Sequence, residues 1–440
     1  MLNRNHKIVL ISLGCPKALV DSEKIITELK AENYTFIKDC AKADLVIINT
    51  CGFINEAIEE SLAVIGKALK QNDKVIVTGC LGAKKSLILE KYPQILEITG
   101  PNSCDEVMRV VRQHLPSKHK LKPQILRNIK LTPPHYAYLK ISEGCNQKCS
   151  YCIIPDLRGK LVSRPINEVL QEAENLAKSG VKEVLIISQD TGAYGSDLHN
   201  QTYLWHREKL TANLLNLVTH LGSLGIWIRL HYLYPYPLID KIIPLMAEGK
   251  ILPYLDVPLQ HVNPRILKLM HRPANNDKNL LKRIKKWRSI CPEIVIRSTF
   301  IVGFPGETET EFNELLDFLK DAQLDRVGCF KYSKVSGAKA NKFPDQISEI
   351  TKQNRFEQLM SLQQTISAQK LKNQIGKTIE VLIDGIDSSQ AIGRSYADAP
   401  EIDGLVYVKK PKKLKVGDLV KVTINNSDEY DLFGIISCER

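Results

Sequence analysis

Six of the eleven cysteines in this 440-residue chain fall into two groups of three. One group lies on a single short loop, Gly144-Cys145-x-x-x-Cys149-Ser150-Tyr151-Cys152. Thiolates are the usual ligands of iron–sulfur clusters, and a cubane of four irons offers four corners to them. Three cysteines fill three corners and leave one iron open. An open iron can chelate a small ligand through nitrogen and oxygen, whereas a structural site is closed. Zinc is the competing occupant, but it takes a fourth Cys or His at short range, and none follows Cys152 closely.

The second group, Cys15, Cys51 and Cys80, is scattered in sequence but regular in context. Each follows an apolar run: Ile11-Ser12-Leu13-Gly14-Cys15, Ile48-Asn49-Thr50-Cys51 and Val77-Thr78-Gly79-Cys80. If these runs are parallel strands, their carboxyl ends lie on one edge of a sheet, where ligand sites form. Three cysteines at one topological position then converge. Gly14, Gly52, Gly79 and Gly82 would let backbone close tightly around a bulky group. A lone cysteine is usually a small buried hydrophobe, but three in register predict a second cluster with another open iron. Cys40, Cys104, Cys291, Cys329 and Cys438 share no such register and are expected to be core or surface thiols.

The elements that must position these groups are legible as periodicity. Lys7–Leu13, Asp44–Asn49 and Lys74–Thr78 are nearly continuous in Ile, Val and Leu, as strands of a buried parallel sheet are. Amphipathic helical patterns, Asp21–Lys30 and Glu56–Gln71, separate them. The layout predicts a doubly wound α/β domain over residues 1–116. A basic, proline-bearing stretch without periodicity, residues 117–135, reads as a linker.

A second βα series follows over residues 136–372. Its strand candidates are Ala137–Ser142, Glu183–Ser188, Ile226–Tyr232, Tyr254–Pro258, Ile294–Val302 and Arg326–Tyr332. One helix between them runs from Pro165 to Gly180, and the long amphipathic stretch Glu349–Lys372 closes the series. Six βα units predict a partial (βα)6 barrel with function at the carboxyl ends of its strands. Residues 373–440 change to short Val- and Ile-rich runs: Thr378–Ile383, Leu405–Val408, Leu419–Ile424 and Phe433–Ile436. These predict a small antiparallel β-barrel.

At 43% hydrophobic and 25% charged, the composition is that of a folded chain. No apolar run reaches the roughly 18–20 residues that cross a bilayer, and Met1–His6 has no export signal core. A cytoplasmic location with no membrane partner is therefore expected, where unpaired thiols suit metal better than disulfides. No glycine-rich phosphate loop argues for ATP. The net charge of +12 suggests a polyanionic neighbourhood such as RNA or the ribosome.

The loop spacing, three residues and then two with an aromatic before the last cysteine, resembles the radical S-adenosylmethionine (SAM) enzymes, as does the βα series after it. The resemblance implies that Cys145, Cys149 and Cys152 hold a [4Fe-4S] cluster whose open iron binds SAM. One electron then releases a deoxyadenosyl radical able to take hydrogen from an unactivated carbon. It also implies that Tyr151 lies near the adenine. Gln189 and Asp190, after the second strand, and Gly303, after the fifth, become candidate SAM contacts. Many members carry Gly-Gly-Glu where this chain has Ser188-Gln189-Asp190.

A second three-cysteine site ahead of such a core, and a small barrel after it, resembles the methylthiotransferases over essentially the whole chain. In that family one SAM supplies a methyl group to sulfur held at the N-terminal [4Fe-4S] cluster and another SAM supplies the radical. The terminal barrel resembles the TRAM domain, which docks substrate. Leu13-Gly14-Cys15-Pro16-Lys17, Asn49-Thr50-Cys51-Gly52-Phe53-Ile54 and Arg158-Gly159-x-x-x-Ser163-Arg164-Pro165 look like the ribosomal branch, the RimO type. Ala18 departs from that branch, which generally has Asn there. The implied reaction is addition of methylthio to the β-carbon of an aspartate in small-subunit ribosomal protein S12. The chain would act as a monomer, on the free protein or within the ribosomal subunit, with electrons from a donor such as flavodoxin or ferredoxin.

Charge gives an independent expectation about the substrate. Residues 372–440 carry 8 Lys and 2 Arg against 11 Asp and Glu, a net of −1. RNA binding rests on neutralising phosphates, and five of those ten cations sit in Lys409–Lys415. The acidic stretch Asp398–Asp403 would suit a basic partner such as a ribosomal protein. The alternatives are a transfer-RNA adenosine methylthiotransferase and, from another class, a non-catalytic metal-binding protein associated with RNA.

Overall fold

The computed structural model describes residues 6–117, 129–273, 277–409 and 414–437. Most of the expected linker, part of the Lys409–Lys415 run and Cys438 lie outside the described residues. The chain packs as two compact units. The first comprises Met1–Thr132, Glu143–Val162 and Ser333–Ala338, so both three-cysteine groups belong to it. The second comprises Pro133–Ser142, Ser163–Tyr332 and Lys339–Arg440.

The first unit is built on five strands: β1 (Lys7–Ser12), β2 (Thr35–Phe36), β3 (Leu45–Thr50), β4 (Val75–Gly79) and β5 (Glu97–Ile98). They pair all-parallel in the order β2-β1-β3-β4-β5. Every residue of the central β3 is buried, which is why its sequence is a continuous apolar run rather than an alternating one. Successive side chains point to opposite faces. Ile8, Leu45, Ile47 and Ile76 pack on one side against Ile25 and Leu29 of the Pro16–Ala31 helix and Val107 of the Cys104–His114 helix. Val46, Ile48, Val75 and Val77 pack on the other against Leu62 and Ile65 of the Asn55–Leu69 helix. The doubly wound expectation holds; the two-residue edge strands were too short to show as periodicity.

The second unit contains six strands, Tyr136–Lys140, Glu183–Ile187, Trp227–Leu230, Tyr254–Asp256, Val295–Val302 and Arg326–Lys331. They pair all-parallel in that order, making an open sheet. Helices such as Ile166–Lys178 and Glu349–Lys372 cover it and close one large apolar core. Cys291 and Cys329 lie in this core, and Cys104 in the core of the first unit, all as buried thiols.

The C-terminal barrel has five strands, Thr378–Ile386, Gln390–Ser395, Val406–Lys409, Leu419–Ser427 and Leu432–Ile436. The expected small antiparallel barrel is present, with one pairing that differs: while the other four pairings are antiparallel, Val406–Lys409 runs parallel to Leu432–Ile436. That pairing closes the barrel. Among the described residues no helix is long and apolar enough to cross a membrane.

Candidate metal centres and the comparison with known proteins

The three N-terminal cysteines sit where the register places them. Ser12 of β1 is level with Asn49 of β3, and Thr50 of β3 is level with Gly79 of β4. Cys15, Cys51 and Cys80 therefore follow three adjacent strands on one sheet edge. Close approach there needs glycine. Gly14 and Gly79 both adopt left-handed φ angles (92° and 91°), and a Cβ on Gly14 would come within 2.9 Å of Cys51 Cβ. A Cβ on Gly52 would meet the Leu81 amide nitrogen at 2.8 Å. Asn49 ties the edge to the first helix, its side-chain amide donating to the Ala18 carbonyl (2.8 Å) and Ser22 Oγ (2.9 Å).

The thiols differ in environment. Cys80 is buried and burial pushes its thiol up to about 11, against the opposing pull of Arg158. Cys51 is likewise pushed up by burial, against the Phe53 and Gly52 amides. Cys15 is open to solvent, yet the surrounding protein still works against its thiolate. Lys17, the Ala18 amide and Arg158 outweigh that and hold its thiol below the ordinary value. Cys15 also sits at the N-terminus of the 16-residue helix that Pro16 begins, where the helix field favours a thiolate.

The second cysteine loop is folded by its own backbone. The Cys145 amide donates to the Gly159 carbonyl (3.1 Å) and the Cys152 amide to the Cys149 carbonyl (3.1 Å). Gly144 turns the chain at φ 75°, and a Cβ there would stand 2.1 Å from the Lys160 carbonyl oxygen. Backbone amides point at two of the sulfurs, Gln147 N–H to Cys145 Sγ and Ile154 N–H to Cys152 Sγ, each at 3.4 Å. Such donors stabilise sulfur that carries negative charge.

Both groups fit an iron–sulfur occupant by the chemistry of their donors. Each offers three thiols; one set sits on a sheet edge closely packed at Gly14, Gly52 and Gly79, and the other receives amide hydrogen bonds. Among the described residues no three His, Cys, Asp or Glu side chains converge as they would around a single ion. A cubane binds its thiolates at separate irons, so its ligands need not meet at one point.

Sequence reasoning missed Arg158. It ends the short helix Ile154–Arg158 just past Cys152, and its side chain is almost fully buried. Its Nε donates to Cys80 Sγ at 3.1 Å, and its Nη1 reaches Asp21 Oδ2 (3.2 Å) and Glu143 Oε1 (2.9 Å). In the sequence Arg158 stands out only as part of a motif, and nothing local pairs positions 158 and 80.

In the second unit, Asp190 follows the Glu183–Ile187 strand, is buried, and accepts from the Tyr236 hydroxyl at 2.7 Å. Gln189 precedes it in the same turn. Gly303 follows the Val295–Val302 strand at φ 68° and donates its N–H to Glu307, which His261 and Arg355 also hold.

Two of the three acids in the acidic stretch expected to face a basic partner are internal, and Glu401 alone is exposed. Asp398 is 1% exposed and paired with Arg326. Asp403 accepts from Arg297 (3.3 Å) and the Tyr254 hydroxyl (2.6 Å). Exposed Glu401 accepts from the Tyr136 hydroxyl at 3.1 Å. These partners all belong to the six-stranded sheet, so the acids fasten the barrel to it. Beside them Glu183, with no exposed side-chain surface, lies between Arg229 (2.6 Å) and Arg394 (2.7 Å). Arg394 also pairs with Asp384, which accepts from His135.

Comparison with known proteins agrees with this layout. Residues 7–100 match the uncharacterized protein family UPF0004, residues 139–319 the radical SAM superfamily, and residues 375–436 the TRAM domain. The chain is 58% identical over 433 residues to the ribosomal protein uS12 methylthiotransferase RimO of Cronobacter sakazakii, covering 97% of this chain and 98% of that one. It is 57% identical over 441 residues to the protein of the same name from Salmonella typhi, covering 99% of each. Among solved structures, the radical SAM methyltransferase TsrM of Kitasatospora setae, with cobalamin and a [4Fe-4S] cluster bound, superposes at a TM-score of 0.53. That likeness covers 74% of this chain and 75% of that one at 14% identity, and speaks for the fold alone. The chain belongs to the ribosomal protein uS12 methylthiotransferase family of radical SAM enzymes.

Proposed function

We propose that this protein is a radical SAM methylthiotransferase that adds a methylthio group to the β-carbon of an aspartate in ribosomal protein uS12. The carrying observation is identity of 57–58% to uS12 methylthiotransferases along nearly the full chain. In this reading Cys145, Cys149 and Cys152 hold one [4Fe-4S] cluster and Cys15, Cys51 and Cys80 hold the other. When bound, the clusters and SAM supply the radical and the methylated sulfur.

The chain's own residues bind and orient. The Gln147 and Ile154 amides stabilise two of the loop thiolates, and Gly144 lets the loop close on itself. When SAM is bound, Tyr151 would lie near the adenine, Gln189 and Asp190 would contact the methionine amine, and the backbone at Gly303 would approach the cofactor. Tyr236 keeps the Asp190 carboxylate oriented for that task. The barrel serves substrate docking from a fixed seat. The protein acts in the cytoplasm as a monomer, with electrons from a flavodoxin or ferredoxin.

Mass spectrometry of uS12 from cells with and without the gene tests the reading. A gain of about 46 Da on one aspartate, CH3S for hydrogen, is expected only where the gene is present. If uS12 is the same in both strains while a transfer-RNA adenosine loses its methylthio group, the protein-directed reading is wrong.

A further inference from the structure

Arg158 is placed to act on the N-terminal cysteine site from within the other cysteine loop. Its five-residue helix starts two residues after Cys152, carries Pro155 in its first turn and ends at Gly159 with φ 76°. Leu157 of the same helix packs with Cys80, Ile153, Val335 and Ala338 in one apolar cluster. The guanidinium thus reaches its position on a rigid element, not a flexible arm.

Its fork is used unequally. Nη1 and Nη2 both reach Asp21 Oδ2, at 3.2 and 3.3 Å, and Nη1 also reaches Glu143 Oε1 at 2.9 Å. These two carboxylates brace the plane of the guanidinium. Of the donors they leave, the Nε–H points at Cys80 Sγ from 3.1 Å. A lysine could supply the charge and three donors, but on one rotatable nitrogen and not in a fixed planar fork.

We propose that Arg158 is the positioning residue of the N-terminal cluster. Its N–H···S bond to Cys80 stabilises the more reduced state of that cluster, and Asp21 and Glu143 hold the donor in line. Hydrogen bonds to ligand sulfur are one of the means by which a protein sets a cluster's reduction potential. The inference rests on the reading that Cys15, Cys51 and Cys80 hold a cluster.

The test uses the full chain in a Cys145→Ala, Cys149→Ala, Cys152→Ala background, reconstituted anaerobically, so that the N-terminal cluster is read alone. Iron of about four per chain is expected there, since a cubane holds four. Background protein that takes up no iron overturns the underlying two-cluster reading. With iron in place, a redox titration followed by electron paramagnetic resonance compares the background with R158Q, R158K and D21N. R158Q should make the one-electron reduction about tenfold less favourable, a midpoint about 59 mV lower. R158K should recover part of that shift, and D21N, which keeps the arginine but loses a brace, should show a smaller shift of the same sign. An unchanged midpoint in R158Q at full iron overturns the inference, because a salt bridge that only supports the fold would leave the potential alone. Should R158Q fail to take up iron, D21N decides by the same criterion.

Discussion

Glu183→Gln asks whether the barrel is held by charge. The Glu183 side chain has no exposed surface and sits between two arginines that are themselves 0% and 1% exposed. Burial works against its carboxylate, but Arg229 and Arg394 outweigh this and hold it below the usual range. Removing one partner of a buried ionic group leaves the other uncompensated, at about 3–5 kcal/mol. Arg229 would be the less compensated of the two, for its remaining acceptors are the Tyr396 and Ser395 carbonyls and the face of Tyr254. Arg394 keeps Asp384. At about 2 °C per kcal/mol for a large domain, Glu183→Gln should lower the melting temperature by roughly 6–10 °C. Asp384→Asn should cost less, because that carboxylate is 22% exposed and water can replace part of the loss. The assay is anaerobic thermal unfolding followed by circular dichroism, with limited proteolysis to read whether residues after 372 are released first. A Glu183→Gln protein melting within about 2 °C of wild type, or losing no more than Asp384→Asn, would refute the claim that this buried triad secures the barrel.

Three further outcomes follow from the same geometry. Cys149→Ala should abolish 5′-deoxyadenosine release from SAM and reductant and lower bound iron from about eight to about four per chain; undiminished deoxyadenosine would remove the loop from the chemistry. Gly144→Ala should cost the loop its iron while leaving the Cys15, Cys51 and Cys80 site loaded, because the new Cβ meets a backbone oxygen at 2.1 Å in a left-handed conformation. Metal analysis showing full occupancy would mean the loop can rearrange. Asp256, buried and brought to about 2 by His231 and Arg297 against the effect of burial, should contribute about 2 kcal/mol of stability. Its folded-state value is depressed, so that contribution is present above about pH 4 and lost as pH falls toward 2. Urea unfolding of wild type and Asp256→Asn across this window should converge at the acid end, and parallel curves would contradict the assignment.

The cysteine chemistry was legible because each ligand candidate followed a strong local signal. A buried parallel strand is a continuous run of Ile, Val and Leu, so its end can be read, and three such ends carried a cysteine. The strand Gln390–Ser395 was not legible, since Gly393 and Arg394 interrupt it and its apolar content is Ala391 and Ile392 alone. Its Arg394 is buried for an electrostatic reason that no periodicity encodes. The hairpin Thr202–Trp205 with Glu208–Thr211 was missed likewise, its strands being only four residues long and half exposed. The acidic stretch misled for the same reason in reverse. Charges on a loop read as solvated, and only the tertiary contacts of Asp398 and Asp403 with Arg326 and Arg297 show them to be internal.

The membership of the first packing unit bears on how such enzymes can be recombined. The loop Glu143–Val162 follows the first strand of the six-stranded sheet in sequence, yet packs with Met1–Thr132. Asp21, Cys80, Glu143 and Arg158 form one contact set spread across 138 positions of the chain, from 21 to 158. A hybrid gene that exchanges an N-terminal segment at position 116 or 135 would therefore bring together two halves of this set from different parents. Parents that agree at these four positions should tolerate the crossover, whereas a partner lacking the carboxylate at position 21 or the arginine at 158 would inherit an unmatched buried charge. For hybrid design, the natural breakpoint lies not between segments but around an excised loop.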